Sequence, residues 1–106
     1  MRQFNEQADA TTVQVTVGEV FQIYLAENPT TGFRWRLDCA GAPTCSLIDD
    51  YFSVPGRLPG GPGIHHWNFK AVASGSTTIC LSYARRWQNS APARTFRLEI
   101  RAGGQS

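Results

Sequence analysis

The sequence lacks most of what a metal-dependent, nucleic-acid-binding or membrane-spanning protein would need. It contains no C-x-x-C pair, so zinc-ribbon and thioredoxin-like chemistry have no support. No apolar stretch approaches the roughly 20 residues of a spanning helix. Ten Lys and Arg against eight Asp and Glu leave a formal charge of only +2, and the basic residues are scattered, which argues against nucleic acid as a partner. The opening Met-Arg-Gln-Phe-Asn-Glu has no apolar run of a signal peptide, so the chain is expected to be either cytoplasmic or a mature form whose leader has been removed. Cysteine is scarce and odd in number, at three, which excludes a fully paired disulfide framework. Cys39 and Cys45 flank a turn-like Ala-Gly-Ala-Pro-Thr segment, and both a local bridge and free thiols stay open. Cys80 lies in an apolar strand pattern and reads as a buried, inert thiol.

What is present is period-2 alternation, with almost nothing of helical period. The 106 residues fit one domain, 1–106, with an ordered core at about 11–102 and ends, roughly 1–10 and 103–106, that look disordered. At 42% hydrophobic and 17% charged, the composition suits a globular chain that folds alone. Val13, Val15 and Val17 alternate with polar residues, and Gly18-Glu19 marks a turn before Phe21, Ile23 and Leu25. Phe33, Trp35 and Leu37 form a third set, with Arg34 and Arg36 pointing the other way and Trp35 a candidate for the core. Leu47 to Val54 is a weaker strand. Trp67, Phe69 and Ala71, then Ile79, Leu81 and Tyr83, then Phe96, Leu98 and Ile100 complete the series. Seven or eight short strands separated by turn signals predict an all-β, immunoglobulin-like two-sheet sandwich.

Three segments interrupt this pattern with chemistry that a sandwich core does not require. The first is Asn28-Pro29-Thr30-Thr31-Gly32-Phe33, where Asn and Pro suit the first two positions of a β-turn and Gly32 can take a positive φ. A stiff loop with two hydroxyls loses little entropy on docking, although an ordinary hairpin turn would read the same way. The second runs from Pro55 to Gly63, with three prolines and four glycines, and leads into Ile64-His65-His66-Trp67. No helix or Lys-Ser/Thr follows, so a phosphate cradle lacks its context, and adjacent histidines on a strand face opposite ways and are poorly placed to share a metal. No cofactor or metal is expected. The third is Arg85-Arg86-Trp87-Gln88-Asn89-Ser90-Ala91-Pro92, where an aromatic beside arginines is either an interface anchor or a Trp folded over the end of the sandwich.

Taken together, the three segments resemble the chagasin-type inhibitors of papain-like cysteine peptidases. The Asn-Pro-Thr-Thr-Gly-Phe string at 28–33 is the most specific match, the Gly-rich loop at 59–63 and Trp87 follow in the family's order, and the resemblance runs from about Val13 to Ile100. It implies an immunoglobulin-like fold whose three loops gather at one end as a wedge, a reversible and non-covalent block of the peptidase cleft, a monomer, and no reaction catalysed by this chain. The residues it would commit to the peptidase are Asn28, Pro29, Thr30, Thr31, Gly32, Phe33, Gly60, Gly61, Pro62, Gly63, Arg85, Arg86 and Trp87. Thr31 would lie nearest the catalytic cysteine and Trp87 beside the catalytic histidine. In two places the chain departs from the pattern: Arg86 stands where the family has proline before the tryptophan, and Pro62 interrupts the glycine run.

Two other readings compete. A carbohydrate- or protein-binding sandwich would need exposed aromatics, yet most aromatics here alternate into the core. An enzyme would have to use Asp49, Asp50, His65 and His66, the only evident acid/base cluster, without a nucleophile motif beside it.

Overall fold

The computed structural model describes residues 1–54, 63–85 and 91–104 and shows eight strands in two facing sheets. The strands are β1 (Arg2–Phe4), β2 (Thr11–Thr16), β3 (Val20–Glu27), β4 (Phe33–Ala40), β5 (Cys45–Ser53), β6 (Gly63–Ala71), β7 (Gly75–Arg85) and β8 (Arg94–Gly103), with 3-10 turns at Glu6–Ala8 and Pro29–Thr31. One sheet has the order β1-β3-β6-β5 and the other β2-β8-β7-β4. Two of the pairings, β1 with β3 and β2 with β8, are parallel and the rest antiparallel. This is the two-sheet, immunoglobulin-like sandwich that the alternation predicts.

The alternating apolar residues meet between the sheets. Phe21, Ile23 and Leu25 of β3 and Trp67, Phe69 and Ala71 of β6 face Ile79 and Leu81 of β7 and Phe96, Leu98 and Ile100 of β8, all buried. Burial of such side chains contributes roughly 1.5–3 kcal/mol each, which makes this layer the source of the fold's stability. Trp35 joins the same core.

The N-terminus departs from expectation. Arg2–Phe4 pairs with β3, where the alternation signal, a single Phe in three residues, is too short to read. Its placement rests on the Arg2–Glu19 ion pair at 2.7 Å and on the edge-to-face packing of Phe4 on Phe21. At the other end β8 continues to Gly103 because Thr16 and Val15 of β2 pair with Gly103 and Ala102.

Two register shifts turn side chains over. One lies between Leu37 and Cys39 in β4 and the other between Leu47 and Asp49 in β5. A bulge inserts one unpaired residue and moves everything after it to the opposite face. Cys39 is thereby turned outward, and Asp50, still exposed, comes to the face of its partner Trp67, opposite to what unbroken alternation from Leu37 and Leu47 would give.

Cys45 is buried in the core, where burial raises its thiol pKa. Cys39 lies exposed on the other sheet, and all three cysteines are free. Cys80 is only half-buried: Ile79 and Leu81 take the inner face, so it points out.

Candidate functional site

The register brings the strand ends that flank residues 28–32, 54–62 and 86–93 to one end of the sandwich. Glu27, the last residue of β3, pairs with Gly63, the first of β6, and Ser53 of β5 pairs with Ile64. In the other sheet Phe33, the first residue of β4, pairs with Arg85, the last of β7, and Tyr83 pairs with Arg94 of β8. The two sheets are tied together at this end. The Trp35 indole donates to the Ala26 carbonyl at 2.8 Å, and the Asn28 amide donates to the Tyr83 hydroxyl at 3.2 Å.

The loop that follows Glu27 is built around Asn28. Its carbonyl accepts the Thr31 amide at 3.2 Å, closing the turn that the Asn-Pro pair predicts, and the Thr31 hydroxyl at 2.8 Å. Its side-chain Oδ1 accepts the Thr30 amide at 3.2 Å and the Thr30 hydroxyl at 2.6 Å. The Thr31 hydroxyl also accepts the Phe33 amide at 3.4 Å, and Gly32 sits at φ +82°. Thr30 and Thr31 are exposed, but both hydroxyl protons are spent inside the loop. They stiffen the tip rather than point their donors at a partner.

Beneath the loop is a polar base in which Asp50 and His65, two of the acid/base residues singled out in the sequence, are joined by Glu27, which sequence reasoning missed. Glu27 is 2% exposed, and its Oε2 accepts the Trp35 amide at 2.7 Å while Oε1 meets His65 Nδ1 at 3.2 Å. The other ring nitrogen of His65 meets Asp50 at 2.7 Å, and the ring lies flat on Trp67, 4.1 Å between centroids. Burial pushes the Glu27 carboxyl up, but the bonds from His65 and the Trp35 amide outweigh it and leave the group below its usual range. For His65, burial pushes down, and the bonds to Glu27 and Asp50 prevail and raise it. The signal was in the alternation: Glu27 continues the inward series 21, 23, 25, and His65 continues 69, 67.

Aromatic side chains form the other half of the base. Phe33 stacks on Tyr83 at 5.4 Å and Trp35 leans on it at 4.9 Å. The Arg85 guanidinium lies 4.6 Å above the Phe33 ring. Gly63 is buried inside the β3–β6 ladder, and a Cβ there would meet the Phe52 ring at 2.1 Å and the Ser53 carbonyl at 2.7 Å. Its place is in the sheet, under the loop, rather than at a surface contact. Gly60, Gly61, Pro62, Arg86 and Trp87 lie outside the described residues, as does the side chain of Pro29.

The histidines take opposite faces. His66 stacks 4.4 Å from Tyr51 on the outside of its sheet and bonds to Gln22 and Ser53. Among the described residues no group of His, Cys, Asp and Glu could hold a metal ion. Surface cavities of about 280 and 410 Å³ are lined by Ala10, Thr78 and Arg97 and by Arg2, Gln14 and Gly103, away from the loop end. The described part of that end is a closed turn on a braced base.

The family profile described as "Chagasin family peptidase inhibitor I42" matches residues 14–100, nearly the whole sandwich. The chain belongs to the chagasin family. Chagasin of Trypanosoma cruzi is 35% identical over 81 residues, 72% of this chain and 74% of chagasin. Amoebiasin-1 of Entamoeba histolytica is 35% identical over 97 residues, 90% and 93% of the two chains. The crystal structure of the cysteine protease inhibitor EhICP2 from Entamoeba histolytica is similar at a TM-score of 0.85 and 28% identity, covering 95% of this chain and 94% of that one. PbICP-C, solved in complex with falcipain-2, shares the fold at a TM-score of 0.64 and 21% identity, over 95% and 89%. This family member is therefore an inhibitor of cysteine peptidases and not an enzyme.

Proposed function

We propose that the chain inhibits papain-like cysteine peptidases by reversible, non-covalent occlusion, with the three connections at the loop end entering the active-site cleft. The observation that carries this reading is the turn at 28–33, closed on Asn28 and seated on the Glu27–His65 base. A turn that is bent before it docks pays little ordering entropy and does not offer the extended backbone that a peptidase cleaves. Thr31 approaches the catalytic cysteine, with Asn28, Pro29, Thr30 and Gly32 holding its geometry. Trp87 packs on the rim beside the catalytic histidine, flanked by Arg85 and Arg86. Gly60, Gly61 and Pro62 contact the opposite wall, and Gly63 and Phe33 act from beneath as supports. PbICP-C in its complex with falcipain-2 offers a parallel for such a partner. A standard interface of about 800 Å² per partner is compatible with nanomolar binding when its loops are preorganised.

The test is titration of papain and a cathepsin L-like peptidase with the purified chain, following a fluorogenic substrate, with a serine peptidase as control. Stoichiometric and reversible loss of cysteine peptidase activity alone is expected. Activity unchanged at micromolar inhibitor, or slow covalent inactivation, overturns the proposal.

A further inference from the structure

Cys39 and Cys80 are direct partners across the antiparallel β4–β7 ladder. The β4 bulge at Asp38 is what puts them on one face. Without it Cys39 would follow Trp35 and Leu37 into the core, whereas Cys80 alternates outward between Ile79 and Leu81. Residues directly opposite in such a ladder have Cα atoms about 4.5–5.5 Å apart, inside the roughly 4.4–6.8 Å that a disulfide spans. Both side chains are free thiols, Cys39 exposed and Cys80 half-buried. We propose that Cys39 and Cys80 form a reversible cross-strand disulfide by exchange with a small-molecule disulfide such as oxidised glutathione.

The order of events follows from exposure. The Cys39 thiolate attacks one sulfur of glutathione disulfide, expels one glutathione thiolate and forms a mixed disulfide. The Cys80 thiolate then attacks the Cys39 sulfur and expels the second glutathione. Two protein thiols lose two protons and two electrons, and the electrons end on two glutathione thiols. Burial, followed by the neighbouring Cys39, pushes the Cys80 thiol above its ordinary value, while Arg97, its register partner on β8, pulls the other way. Cys80, half-buried beside the exposed Cys39, is the resolving thiol. Cys45 takes no part, because it is 2% exposed and belongs to the opposite sheet.

The bond would close a loop of about forty residues and staple together the strands that carry two of the three connections. Disulfides closing loops of that length raise Tm by on the order of 10 °C in a domain of this size. The experiment equilibrates the full chain in glutathione buffers of increasing oxidised fraction, quenches with an alkylating agent, and reads intact mass, a peptide map and Tm. Expected are a monomer two hydrogens lighter, a Cys39–Cys80 linked peptide, Cys45 alkylated only after unfolding, and a rise in Tm reversed by dithiothreitol. Cys39→Ser and Cys80→Ser, tested separately, should each abolish the rise, and the map of the unaltered chain stands whether or not either variant folds. Both thiols alkylated in the most oxidising buffer, a link through Cys45, a stable glutathione adduct or a Cys39-linked dimer would each overturn the proposal.

Discussion

The middle of the sandwich and its loop end are held together by different physics. Between the sheets, Phe21, Phe69, Phe96, Ile79, Leu98 and Ile100 are buried with no polar group among them, and their packing is non-directional. At the loop end a buried carboxylate and a half-buried imidazole and tyrosine hydroxyl are each bonded to a named partner. Apolar packing supplies stability but tolerates small shifts; directed hydrogen bonds fix where a backbone sits. An inhibitor needs both, because the turn it presents must hold its shape when it meets a partner. The comparison teaches that loss of stability and loss of inhibition should be separable by mutation.

The largest effect should come from the middle. Phe69→Ala removes a fully buried ring and is expected to cost about 3–5 kcal/mol, read by urea denaturation, while inhibition per folded molecule stays near the parent value. Phe69→Ala keeping its stability but losing inhibition would break the division. Trp87→Ala should do the converse. A central aromatic anchor is worth about 2 kcal/mol or more, so inhibition should weaken at least thirtyfold with little change in Tm. A large fall in Tm with inhibition intact would place Trp87 in the scaffold.

A smaller effect is expected at Gly32. Its φ of +82° is a region that costs an L-residue about 1–2 kcal/mol, and the strain of Gly32→Ala falls on a turn at the edge of the fold. Inhibition of papain should weaken roughly tenfold while Tm moves by only a few degrees, measured on the same preparation. Unchanged inhibition would mean that the turn's shape does not matter to the peptidase.

The two regions also differed in how they could be read. The core was legible because its apolar residues repeat every second position, and Phe21, Trp67 and Leu98 announce their faces without any knowledge of their neighbours. The Asn-Pro-Thr-Thr-Gly turn was legible because proline and glycine restrict backbone angles locally. Glu27 was passed over, and His65 was grouped only with Asp49, Asp50 and His66, because the pairing of Glu27 with His65 spans 38 residues. The pairing of Cys39 with Cys80 was hidden for a related reason: a bulge changes the face of every later residue, and no local composition marks Asp38 or Ile48 as the inserted one. Strand β1 gave no signal at all, since its hold on β3 rests on Arg2 reaching Glu19 and Phe4 reaching Phe21.

The least and most specific effect concerns pH. Glu27, held below its ordinary value of 4.5, contributes stability that is present above that value and is lost as pH falls through its folded pKa. His65, held above its ordinary value of 6.5, contributes stability that is full below 6.5 and is lost as pH rises through its folded pKa. Both contributions are complete only between 4.5 and 6.5, so Tm should be highest in that window. Burial opposes both shifts, so each limb should be shallow. Glu27→Gln keeps the shape and a hydrogen-bond acceptor but removes the charge. It should flatten the acid limb and lower the pKa of His65, followed by the chemical shift of its ring proton, with Asp50 still beside the other ring nitrogen. An identical Tm profile and an unmoved His65 titration in that variant would show that the base of the loop end is held by shape alone, and the contrast with the core would disappear.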